Sequence, residues 1–125
     1  MNKLWLKEWP WDTVITINAG LCKEKNALHK FTSEGYEPAR KLWEDSRSVK
    51  LSLRQTLEIC RRCHKLSPFC FYNGNTFAAI GRIIVQDVLH KISPVKAHAV
   101  RSVVGHYIAG TAGDQELDQA LAELD

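Results

Sequence analysis

Ser52-Leu53-Arg54-Gln55-Thr56-Leu57-Glu58-Ile59-Cys60-Arg61-Arg62-Cys63-His64-Lys65 carries every local signal of a helix. Ser52 and Gln55 have the spacing of a capping box, in which hydroxyl and amide each satisfy a backbone group left free at a helix start. Leu53, Leu57, Cys60 and His64 recur along one face, with Cys63 beside them. Ser67-Pro68 closes the segment, because proline and the residue before it leave the helical region.

Outward from this segment the same period repeats. Phe77, Ile80, Ile84, Val88 and Ile92 mark a second helix after the Asn73-Gly74-Asn75 turn, with Thr76 as its cap. Ser93-Pro94 pairs an N-cap with a first-turn proline, and the helix it opens should bury Val100, Val103, Val104, Tyr107 and Ile108 before Gly110 ends it. A last, acidic helix over 114–125 carries Leu117, Leu121 and Leu124. Upstream, Glu37-Pro38 opens a short helix burying Leu42 and Trp43. Thr13-Val14-Ile15-Thr16-Ile17 would favour a strand on propensity alone. Val14, Ile17, Leu21, Leu28 and Phe31 nevertheless follow a helical stripe, which predicts a helix from Asp12, as N-cap, to Lys30. The expectation is an all-α fold: one compact domain over 1–125, five or six helices, and an irregular Trp-rich arm over 1–12.

Composition agrees. A chain of 125 residues, 45% hydrophobic and 25% charged, suits one soluble domain with one core. Its apolar runs are far too short to cross a bilayer. Met1-Asn2-Lys3-Leu4-Trp5-Leu6-Lys7-Glu8 has neither the apolar stretch nor the cleavage site of a secretory signal, so the expected setting is cytoplasmic, with reduced thiols.

Three of the four cysteines lie between Cys60 and Cys70. Cys60, Cys63 and His64 are neighbours on a helix, and a return of the chain after Pro68 would let Cys70 complete a tetrahedral zinc site. Such a site would be structural, with Cys22 as a substitute ligand. The letters Cys60-x-x-Cys63-His64 are also those of c-type haem attachment, which implies export. A redox pair belongs at a helix start, whereas this one falls late. The simplest alternative is that the thiols continue the apolar stripe as core. No cofactor is expected unless zinc binds here.

Charge is uneven. Arg47 to Arg101 contains ten lysines and arginines against two acids, while 114–125 contains five acids and no base. Arg47, Lys50, Arg54, Arg61, Arg62 and Lys65 form the best case for an anionic partner; Arg54, Arg61 and Lys65 share a face. No helix-turn-helix signature accompanies them. The turn Asn73, Gly74, Asn75, Thr76 would present free backbone N–H groups to an anion, with Arg82 further along the helix. Trp5, Trp9 and Trp11 either pack on the body, the simpler reading, or form a partner surface.

Ser67-Pro68-Phe69 with Asn73-Gly74-Asn75 resembles the signature loop of Fic-type AMP transferases, which sets a His-Pro-Phe start and a Gly-Asn-Gly-Arg turn between helices. Ser67 stands where the catalytic histidine belongs, the spacing from Phe69 to Gly74 is two residues longer, and Thr76 and Phe77 replace the second glycine and the arginine. The resemblance implies a loop between helices and no transferase activity. The expected function is a non-catalytic binding or accessory module for a protein or nucleic-acid-containing partner, engaged through the basic middle; the alternative is a metal-binding protein.

Overall fold

The computed structural model describes residues 2–124. Six helices follow one another: α1 (Trp11–Glu24), α2 (Tyr36–Ser46), α3 (Leu53–Leu66), α4 (Asn73–Leu89), α5 (Pro94–Ala109) and α6 (Asp114–Ala122). α4 and α5 pack most extensively, α3 lies against both as well as against α2, and α6 rests on α5. β pairing among the described residues is limited to two isolated bridges, Lys3 with Leu51 and Phe31 with Phe69. A single buried cluster runs from Leu6 to Leu117.

The capping box of α3 is formed as expected. The Gln55 N–H donates to Ser52 Oγ at 3.0 Å, and the Ser52 N–H donates to Gln55 Oε1 at 2.9 Å. Ser67 ends this helix in the left-handed region, and Gly110 ends α5 the same way. Ser93 caps α5 by accepting from the Lys96 N–H.

The limits of α1 and α4 differ from the sequence reading, and α6 ends at Ala122, short of its expected span to 125, a residue outside those described. α1 starts at Trp11 after Pro10, with Asp12 inside its first turn, and stops at Glu24 instead of Lys30. Asn26 adopts φ 59°, a conformation asparagine tolerates, and the Ala27 N–H closes on Cys22 O. The buried face of α1 is Trp11, Val14, Asn18 and Cys22, while Leu28 and Phe31 lie beyond the helix and are exposed. α4 starts at Asn73, with Thr76 inside it rather than capping it. Tyr72 turns the chain at φ 61°, and the Thr76 hydroxyl donates to Tyr72 O at 2.7 Å.

The arm before α1 is tied down at both ends. Lys3 and Leu51 exchange backbone hydrogen bonds at 2.8 Å, and the Trp43 indole donates to Trp9 O at 2.8 Å. Trp11 is core: it stacks on Phe69 at 6.0 Å and packs beside Trp43 and Phe77, its N–H donating to Tyr36 Oη at 3.0 Å. Trp5 and Trp9 are partly buried against the body. The three indoles therefore do not form a common surface.

Candidate functional site

Cys60 and Cys63 are enclosed in the core, the Cys63 thiol at the α2–α3 contact 3.7 Å from Ala39 O. Burial pushes both thiols up, Cys63 to about 12. His64 turns the other way and donates Nδ1–H to Ile108 O at 2.8 Å. Cys70 is exposed on the side of the α1–α2 loop, its N–H donating to Lys30 O at 2.9 Å. Among the described residues no group of three or more His, Cys, Asp or Glu side chains is placed to hold a metal ion. The set Cys60, Cys63, His64 and Cys70 does not converge, because the chain after Pro68 pairs with residues 30–32 rather than folding back on α3.

Three of the six basic residues are engaged within the fold and three are exposed. Arg47 donates to Glu44, Leu6 O and Lys7 O, fastening the arm to α2. Arg54 donates to Asp114, Asp118, Glu58 and the Tyr107 hydroxyl. Arg61 lies 4.6 Å above the Tyr107 ring and reaches Ala112 O. Lys50, Arg62 and Lys65 are exposed.

The predicted anion turn is divided. Asn73 is spent on its own loop, its amide bridging the N–H and C=O of Phe69 at 2.9 and 2.7 Å. Thr76 is buried beneath α1. Gly74, Asn75 and Arg82 do line one cavity, together with Ser102, Gly105 and His106 of α5.

A feature absent from the sequence reading appears where the α1–α2 and α3–α4 loops meet. The Thr32 N–H donates to Pro68 O, the Thr32 hydroxyl to Ser67 O, and Cys70 N–H to Lys30 O, so the two loops form one surface. Gly35 permits this approach. A Cβ there would collide with Leu66 O and lie 2.9 Å from the Ser67 carbonyl carbon. Beneath, the buried Asn18 amide donates to Phe71 O at 2.8 Å and to Thr76 Oγ1 at 3.0 Å, while its Oδ1 meets His29 Nδ1 at 2.8 Å. The one signal for this hub was a polar residue inside the stripe Val14–Asn18–Cys22.

This end carries Leu28 (66% exposed), Phe31 (42%), Phe71 (48%) and Leu66 (37%). Phe31 stacks on Tyr36 at 4.2 Å, holding a flat apolar face outward. Lys23, Lys25, Lys30 and Lys65 lie exposed in or beside these loops, without ion pairs among the described residues.

Comparison with protein-family models, curated proteins and solved structures finds no match. No described helix is long and apolar enough to cross a membrane.

Proposed function

We propose that this chain is a non-catalytic helical binding module that docks a protein partner through the joined loops 25–35 and 66–72. The observation that carries the reading is that, of the eight large exposed hydrophobic residues among the described residues, Leu28, Phe31 and Phe71 lie on these two hydrogen-bonded loops and Leu66 at the end of α3 where the second begins. Clustered apolar exposure on a rigidly supported loop surface is the usual mark of an interface. The unpaired lysines around it favour a partner with an acidic rim, since charge at the rim steers association. Four free thiols suit a reducing, cytoplasmic setting.

Crosslinking through lysine on intact protein tests the reading. Crosslinks from Lys23, Lys25, Lys30 and Lys65 to an associated protein are expected, and a Leu28→Ser/Phe71→Ser variant should lose them while keeping its thermal midpoint. Crosslinks confined to α5 and α6, or retained in full by the variant, would refute it. Association that nuclease treatment abolishes would reassign the partner to nucleic acid.

A further inference from the structure

A cavity of about 230 Å³ opens between the first half of α4 and the second half of α5. Its polar lining is Asn75, Arg82, Ser102 and His106, and Gly74 and Gly105 bring helix backbone to its wall. No carboxylate lines it. Arg47, Arg54 and Arg61 are each held by acids, carbonyls or a ring, whereas Arg82 makes neither an ion pair nor a hydrogen bond among the described residues.

Gly105 determines where the Arg82 guanidinium rests. A Cβ at Gly105 would lie 2.9 Å from Arg82 Nη1 and 3.3 Å from Cζ, so the guanidinium lies against bare helix backbone. Glycine inside a helix costs about 1 kcal/mol relative to alanine. α5 carries that cost where a side chain would push the exposed Arg82 guanidinium aside. His106 is oriented by its own turn. The Thr111 hydroxyl donates to His106 O at 3.1 Å and therefore accepts from Nδ1–H at 2.8 Å, leaving Nε2 as the free ring nitrogen.

We propose that this cavity binds a tetrahedral oxyanion, a phosphate or a phosphoryl group, with Arg82 as the counter-charge, Asn75 and Ser102 as hydrogen-bond donors, and His106 Nε2 accepting from a phosphoryl hydroxyl. Polar groups from two helices border the same small space, which suits oxygens directed several ways better than the two oxygens of a planar carboxylate. A guanidinium fork matches phosphoryl oxygens in pairs. The site is separate from the loop surface proposed for the protein partner, and neither reading depends on the other.

The experiment is a titration of the intact chain, at constant ionic strength, with inorganic phosphate, phenyl phosphate and acetate, followed by amide chemical shifts and calorimetry. Saturable shifts at Gly74, Asn75 and Gly105 are expected with the first two and not with acetate. Tighter binding of phenyl phosphate would mark the phosphoryl group of a larger ligand as the source, and equal or weaker binding would mark free phosphate. Arg82→Gln should weaken binding about tenfold or more, the effect of losing a charged hydrogen-bonding partner. Gly105→Ala should hold or raise the thermal midpoint yet weaken binding, because the methyl group shifts the guanidinium while improving helix propensity. Absence of saturation, equal response to acetate, or undiminished binding in both variants would overturn the proposal.

Discussion

At Cys60 a sulfur occupies the place of the next leucine along the stripe of α3, and Cys63 sits beside it under α2. Neither thiol meets water, and loss of its proton would put a charge into the core. Native protein should therefore expose Cys70 to a thiol reagent while Cys60 and Cys63 stay unreacted until unfolding, as counted by mass spectrometry. The same burial sets a pH dependence. Below the ordinary thiol value of 9.0, Cys63 is protonated in both states and the stability contribution is intact. As pH rises from there towards about 12, the unfolded chain releases a proton that the folded chain keeps, so stability falls. Thermal midpoints measured from neutral to alkaline pH should decline above about pH 9, and Cys63→Ala should shallow that decline. The sequence showed a thiol-rich helix face; whether that face met a metal or a neighbouring helix depended on where residues 67–72 went.

Between elements, the loop surface depends on Gly35, whose missing side chain lets the start of α2 touch the backbone end of α3. Backbone cannot swing aside as a side chain does. Gly35→Ala should thus destabilise by about 1–3 kcal/mol, measured by urea denaturation, and should increase hydrogen exchange at Thr32 and Cys70. The helices themselves were legible because caps, prolines and apolar period act locally. The α3 capping box and the Ser93–Gly110 limits of α5 were both readable this way. Residues 25–31 were not, since Leu28 and Phe31 continue the apolar period of α1 and only the left-handed turn at Asn26 takes them off the helix. Thr76 misled for a similar reason: its hydroxyl suits a cap, yet Asn18 and Tyr72 O claim it inside the bundle.

Across the whole molecule, two bases of the middle, Arg54 and Lys96, pair with three acids of the tail. Arg54 of α3 reaches Asp114 at 2.8 Å and Asp118 at 2.9 Å on α6, and Lys96 of α5 reaches Glu123 at 3.4 Å. The acidic partners are mostly exposed, so screening keeps the contribution modest. Arg54→Met should lower stability by about 1 kcal/mol, with increased hydrogen exchange confined to α6, and added salt should affect the variant less than the parent. Part of the uneven charge distribution thus serves internal docking.

What the sequence determined by itself was the all-α class, the limits of α3 and α5 and the apolar faces of α3, α4 and α5, because these follow from signals within a few residues. Tertiary structure alone decided the fate of each polar or sulfur-bearing side chain. Cys60 and Cys63 became core, Arg54 became an anchor for α6, Arg82 was left free beside Gly105, and Leu28 and Phe71 were placed exposed on two loops that hydrogen-bond to each other. The physical reason is distance along the chain: a thiol, guanidinium or aromatic ring takes its role from neighbours tens of residues away.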